Sequence, residues 1–319
     1  MTRLCALLLA ALALALPLSL LAGRVWIDPL DPRTANAAII LLQLRLPRAL
    51  LALAVGAGLA GAGAAMQGYL RNPLADPGLF GIAPGAALGA VLSLWLGAAS
   101  VWALPLCALL GAAGAMALLA LIAGREGGVA LFTLAGMMIA SLAGALMSLA
   151  ISLSPTPFAL SEIVTWLMGA LADRSWRDVA IAAPLTLAGL AALARGARWL
   201  DALTLGEAAA RSLGMDARRL QGLIIAGIGL TVGAGVAVAG IIGFVGLIVP
   251  HLVRPFTDRR PSSILLPSAL GGALLLLVAD CLCRVLPLAG GELRLGIALS
   301  LLGAPFFLAL LLRMRRGVL

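Results

Sequence analysis

The sequence predicts an all-α integral membrane protein of about ten transmembrane helices, forming a single domain over residues 1–319. Three observations carry that expectation. Hydrophobic residues make up 63% of the chain and charged residues 11%, against roughly 45–50% and about 25% in a soluble domain. Such a chain lacks the polar side chains to cover itself in water. Uncharged runs such as Leu4–Gly23, Ala49–Leu70 and Ser263–Ala279 approach or reach the roughly 20 residues that cross a bilayer as a helix. Aromatics are only 4%, while Gly, Ala and Leu abound, which favours helices over a barrel of alternating faces.

In order, the apolar segments fall at 4–23, 49–70, 79–97, 103–123, 128–152, 178–194, 220–239, 241–253, 263–283 and 295–312. Arg3 before the first run also resembles a secretory signal, but the run exceeds the roughly 7–15 residues of a signal's apolar region, and Gly23-Arg24-Val25 is a poor cleavage site. A retained first helix is expected. Assigning loops alternately from a cytoplasmic N-terminus places Arg24, Arg33, Arg45, Arg48, Arg174, Arg177, Arg284 and Arg294 outside, and the other fourteen of the 22 basic residues inside. Basic residues resist translocation, so both termini are expected in the cytoplasm. The net charge of +9 is scattered over these loops and not gathered into a patch, which argues for a lipid bilayer and against nucleic acid as the partner.

The second segment opens at Arg45-Leu46-Pro47-Arg48, where Pro47 suits a helix start. Arg45 and Arg48 share one face there, as interfacial anchors or as cations offered to an acidic partner. Gly56-Ala57-Gly58-Leu59-Ala60-Gly61 satisfies a dinucleotide fingerprint, with Asp76 at the expected distance. No strand precedes it and it lies in a membrane-length run, so its small residues instead make a smooth face for close helix packing. Asn72-Pro73 and Asp76-Pro77 mark an irregular turn at the inner surface.

The largest inner loop, about 195–219, holds Thr204 and Glu207 at capping-box spacing, Ala208–Leu213 as a helical continuation and Gly214 as a terminating glycine. A short surface helix results, either lying along headgroups or docking into a cytoplasmic partner. The segment 240–254 is short for a span, and Gly243, Gly246 and Pro250 make it easily broken. His251 beside Pro250 reads as a structural hydrogen-bonding group, because one histidine builds no metal site. Cys5, Cys107, Cys281 and Cys283 make no disulfide framework; the last two read as packing residues.

Several functions are excluded. All 22 basic residues are arginine, so the lysine that a P-loop places on its phosphates is missing, as is any Schiff-base lysine. One histidine, His251, and one tyrosine, Tyr69, leave little for acid–base catalysis. No apolar segment carries a charge at its centre; Asp280 and Glu162 fall near outer ends. Proton- or sodium-coupled carriers usually place carboxylates near the midplane, so a secondary transporter without an ATPase partner is the weaker alternative.

Six stretches give the chain a family likeness: RLPRALLALAVGAGLAGAGAAMQGYLRNPLADPGLFG at 45–81, TWLMGALADRSW at 165–176, LGEAAARSLGMD at 205–216, GIIGFVGLIVPHLVR at 240–254, LLLLVADCLCR at 274–284 and GELRLGIALSLLGAPFFLALLL at 291–312. In this order and spacing the chain resembles the permeases of ATP-binding-cassette (ABC) importers for iron-siderophores, haem and cobalamin. The resemblance implies the ABC type II importer permease fold in a bacterial inner membrane, with no cofactor bound by this chain. It implies a second permease copy, two ATPase subunits carrying ATP and Mg, and a periplasmic substrate-binding protein. By the same resemblance Leu205, Gly206, Glu207, Ala210, Arg211, Leu213 and Gly214 form the coupling element seated in the ATPase. Arg45, Arg48 and Arg284 are implied to pair with acidic residues of the binding protein. The path is implied to run between the fifth and tenth segments of two copies, with an inner gate at Gly128, Val129 and Ala130. Ferric siderophore is the first cargo on family frequency, with haem or cobalamin next. The family's usual proline after Glu-Leu is replaced here, in Glu292-Leu293-Arg294.

Overall fold

The computed structural model describes residues 2–23, 37–98, 100, 102–124, 128–286 and 291–315. Arg24, Arg33, Arg125 and Arg316 of the charge count, and the Arg24-Val25 site considered for cleavage, lie outside the described residues. Every regular element among the described residues is helical. In chain order they are α1 (Thr2–Leu21), α2 (Leu46–Leu70), α3 (Ile82–Trp95), α4 (Ala103–Ala123), α5 (Val129–Ser152), α6 (Pro157–Leu167), α7 (Trp176–Leu203), α8 (Glu207–Ser212), α9 (Ala217–Ala239), α10 (Val245–Val253), α11 (Pro261–Val285) and α12 (Leu295–Arg315).

Among the described residues, eight helical runs are long and apolar enough to cross a membrane. The α2 run starts at Ala37, well before the expected residue 49, because a π-helical turn at Ile40–Arg45 feeds directly into it. The wider turn precedes Pro47, whose missing N–H would otherwise break regular α-bonding. The long runs of α2 and α9 are buried over 78% of their apolar windows and that of α1 over 6%, so α2 and α9 form the centre and α1 the rim.

Glycine makes the centre possible. A Cβ at Gly56 would overlap the Gly272 carbonyl on α11, and one at Gly63 the Gly246 carbonyl on α10. On another face of α2, Gly58 faces Thr186 of α7. The glycine-rich run is therefore a packing surface, as its place in an apolar span predicts.

Three apolar helices among the described residues, α3, α6 and α10, are too short to span a membrane. α3 has 14 residues and α10 has 9, and the residues before α10, 240–244, are non-helical. The break at 240–254 is where the sequence places it. The N-terminal end of α10 meets the connection that leads into α3 midway along α2, for a Cβ on Gly246 would lie 2.9 Å from both the Leu59 carbonyl and the Pro77 ring. The connection 71–81 thus dips back into the bundle, contrary to the surface turn expected from its Asn-Pro and Asp-Pro pairs. Asp76 caps its own 3-10 turn, accepting from the Gly78 N–H at 2.8 Å. It lines a cavity of about 120 Å³ together with Leu59, Val236 and Phe244.

α6 was not expected from the apolar pattern. Thr156 caps it, accepting from the Ala159 N–H at 3.1 Å. α7 runs to Leu203 rather than 194, which shortens the long loop to 204–216. Its start is fixed by Asp178, whose carboxylate accepts from the Ser175 N–H and hydroxyl at 2.8 and 2.9 Å.

Candidate functional site

Two ends of the bundle hold the residues singled out in the sequence. At the α8 end, α7 stops at Thr204, whose hydroxyl donates to the Asp201 carbonyl at 2.7 Å. Thr204 is therefore the C-cap of α7 and not the N-cap of α8. Gly206 takes the N-cap position with φ +99°, a backbone state that disfavours side chains, and the expected capping box does not form. The other end of α8 follows expectation. Gly214 has φ +86°, its N–H donates to the Arg211 carbonyl at 2.9 Å, and the Met215 N–H donates to the Ala210 carbonyl at 3.0 Å. This is a Schellman termination, and its usual apolar contact is present in buried Ala210 and Met215. Ala210 pins the helix inward while Leu205 and Leu213, 68% and 61% exposed, project from either side of it.

The residues expected at the inner gate lie beside this helix. Gly128, in extended conformation, is the N-cap of α5, with Val129 and the exposed Ala130 opening its first turn. The Val129 N–H points to Glu207 Oε1 at 3.5 Å. Tyr69 at the end of α2 meets Phe132 edge-on at 5.1 Å, and Phe80 lies 5.9 Å from the same ring. Gly128 and Val129 thus share one crevice with Glu207 and Arg211, remote in sequence, and with Tyr69 and Gln221.

Nearby, Gln67 ties α10 to α2. Its Nε2 donates to the Gly246 carbonyl at 3.3 Å and its Oε1 accepts from Arg254 at 2.8 Å, so both ends of the half-helix are held. The His251 ring meets Phe306 of α12 edge-on at 5.9 Å. Among the described residues no group of three His, Cys, Asp or Glu is placed to hold a metal.

At the opposite end the three arginines have structural partners. Arg48 forms a two-pronged pair with Asp280, Nε and Nη2 lying 3.0 and 2.9 Å from Oδ1, and reaches Glu292 at 2.8 Å. Arg284 approaches Asp280 at 3.2 Å. The side chains of Arg48, Arg284 and Asp280 are 12%, 5% and 1% exposed. Arg45 donates to the Leu20 and Leu21 carbonyls at 2.8 and 2.7 Å, satisfying acceptors that a helix end leaves open. Arg45 and Arg48, though on adjoining turns, therefore serve different elements. Arg48 and Arg284, which the resemblance implies as binding-protein contacts, are held by Asp280 and Glu292 of their own chain.

The profile of the FecCD transport family matches residues 7–313. The chain belongs to the FecCD transport family. It is 41% identical over 308 residues to the vitamin B12 import system permease protein BtuC of Escherichia coli O9:H4 (strain HS), covering 95% of this chain and 93% of that protein. The BtuC of Salmonella typhi matches at the same identity and coverage. Among solved structures, a metal-chelate-type ABC transporter in an inward-facing conformation superposes with TM-score 0.89 at 34% identity, over 98% of this chain and 100% of that one. PsaBC from Streptococcus pneumoniae, 20% identical with TM-score 0.56 over 83% of this chain, shares the fold. As a FecCD member the chain is a multi-pass bacterial inner-membrane permease, the transmembrane component of an ABC importer and not itself a catalytic subunit.

Within this FecCD permease one ion-pair partner was not legible in the sequence. Glu292 was quoted only as part of a motif, and nothing in its local sequence signals a pair with Arg48. Arg294, standing where the family usually has proline, lies near Arg174. Burial holds the Arg174 guanidinium below the ordinary arginine value, Asp178 and Asp173 oppose this, and Arg177 and Arg294 add to it.

Proposed function

We propose that this permease imports a bulky metal chelate, with a cobalamin-class corrinoid as first candidate and ferric siderophore or haem next. The observation that carries the cargo reading is the 41% identity over 308 residues to vitamin B12 permeases, which reverses the order suggested by family frequency. Apolar spans without central charges suit a large ligand handled by shape. Uptake of labelled cyanocobalamin and of a labelled ferric siderophore by cells lacking this permease tests the reading. Loss of cobalamin uptake alone is expected; loss of ferric uptake with cobalamin uptake intact contradicts it.

The working assembly in this reading is a dimer of two identical permeases over two ATPase subunits, which bind ATP and Mg, beneath a periplasmic binding protein. The half-helices α3 and α10 added to the eight long runs give ten membrane segments in one domain, with both termini and α8 in the cytoplasm. Leu205, Gly206, Glu207, Ala210, Arg211, Leu213 and Gly214 form the coupling element, supported by the two exposed leucines on a helix pinned from behind. Gly128, Val129 and Ala130 form the inner gate.

The binding protein docks at the opposite end, around Arg45, Arg48 and Arg284, in the same reading. Arg45 is the member to test, because charge reversal at Arg48 would place a third carboxylate beside Asp280 and Glu292. Arg45→Glu is expected to weaken binding-protein capture at low ionic strength, with the difference shrinking as salt screens the contact. Equal capture at low salt would remove Arg45 from the docking surface.

A further inference from the structure

A helix begins with four amide groups that lack intrahelical acceptors, and a side chain at the N-cap usually supplies one. At the start of α5 the N-cap is Gly128, which has no side chain to offer. The acceptor comes instead from α8. Glu207 Oε1 lies 3.5 Å from the Val129 nitrogen, and a Cβ on Gly128 would sit 3.6 and 3.8 Å from the two Glu207 oxygens. The carboxylate therefore faces the positive end of α5, a charge–dipole attraction that falls off within the first turn.

Glu207 is the first residue of α8, so its carboxylate moves when α8 moves. On its other side Arg211, one turn along α8, lies 4.0 Å away with its side chain 57% exposed. Elsewhere in this turn the Thr133 hydroxyl donates to the Val129 carbonyl at 2.8 Å, and Phe132 is held between Tyr69 and Phe80. At 3.5 Å the Glu207 contact is at the long limit of hydrogen bonding. A small displacement of α8 therefore suffices to tighten or release it.

We propose that Glu207 is the positioning residue that links coupling to gating: its carboxylate, carried on α8, sets the position of the α5 N-terminus and hence of Val129 and Ala130. The inference rests on the reading of α8 as the ATPase-docking element and of 128–130 as the gate. It adds the atom pair through which a movement of one reaches the other. Any motion of α8 that carries the carboxylate away from Val129 frees the α5 terminus, and a motion toward it pulls the terminus along.

The test uses the full assembly in lipid nanodiscs, isolated through a tag on the ATPase so that every permease scored carries its partner. Ala130→Cys reports on the gate through its maleimide labelling rate, with and without ATP and vanadate, after subtraction of the same protein lacking that cysteine. The expected result for Glu207→Ala is a nucleotide-dependent change in labelling reduced roughly two- to fivefold, the factor given by losing about 0.3–1 kcal/mol of charge–dipole contact. Glu207→Gln, which keeps an acceptor oxygen but no charge, is expected to fall between Ala and the parent. An undiminished change in Glu207→Ala overturns the proposal. So does failure of both variants to be captured with the ATPase, since Glu207 would then act in docking itself. Failure of the underlying reading looks different: Leu213→Glu would be captured with the ATPase at the parental yield.

Discussion

Replacing Asp280 by alanine is expected to destabilise the permease by about 3–5 kcal/mol, because it leaves buried guanidinium groups without their counter-charge. Asp280 is 1% exposed and lies within 3.2 Å of both Arg48 and Arg284, which are nearly as buried. Arg48 sits on α2, Arg284 on α11, and Glu292 on the segment leading into α12, so the cluster fastens three elements at one end of the bundle. Arg284 also points Nη1 to the Ala22 carbonyl at 3.5 Å, beside the α1 carbonyls taken by Arg45. Loss of Asp280 should therefore loosen α1 as well. The thermal midpoint of the detergent-solubilised protein, followed by size-exclusion chromatography, checks this. Removing both charges of a pair is often tolerated where removing one is not, so Asp280→Leu with Arg284→Leu is expected to recover part of the loss. A midpoint unchanged in Asp280→Ala would show that the carboxylate does not hold the arginines.

Leu213→Glu is expected to lower ATP-driven uptake by about tenfold or more while leaving the amount of inserted permease near the parental level. A carboxylate forced without a partner into an apolar seat costs well over roughly 1.4 kcal/mol, which is a factor of ten. Leu213 is 61% exposed, so the substitution leaves no hole in the permease itself. It also precedes Gly214, whose left-handed backbone is needed for the Schellman turn and is best left untouched. Uptake into vesicles, normalised to permease detected in the membrane, reads the effect. Parental uptake would remove Leu213 from the coupling element.

Much of the fold was legible because lipid imposes a simple rule on a chain: long uncharged runs must be helices. Residues 103–123 and 128–152 were placed to within a residue on that rule alone. The rule failed where the backbone leaves the helix inside the bundle. Asn72-Pro73 and Asp76-Pro77 look like a surface turn, and only packing of Pro77 against Gly246 turns the connection inward. Asp76 is consequently the ionisable group that the survey of apolar segments overlooked, because it lies between segments and not within one. Pro47 does stand in the first turn of α2, as its place suggests, but a π turn carries the helical run back to Ala37.

At the candidate site, Gly214 was readable because a C-terminal glycine acts on its own neighbours. Thr204 was misread because the preceding helix claims it first, through the Asp201 carbonyl. Arg48 and Arg284 could be recognised as paired only once Asp280 and Glu292 were brought to them from far along the chain. The Glu207–Val129 contact, which joins two regions singled out separately, has no sequence signal at all. Charges at segment ends show that partners are needed, but packing decides whether those partners lie inside the chain or outside it.

The central claim is that this FecCD permease is driven by a separate ATPase seated on α8. Purifying the tagged chain from native membranes in mild detergent, with quantitative mass spectrometry of what accompanies it, tests that claim most directly. The account predicts a P-loop ATPase near one-to-one with the permease, together with a periplasmic binding protein whose ligand then names the cargo. Recovery of the chain alone from membranes that still transport, in vesicles free of nucleotide, would contradict the account and indicate a secondary carrier.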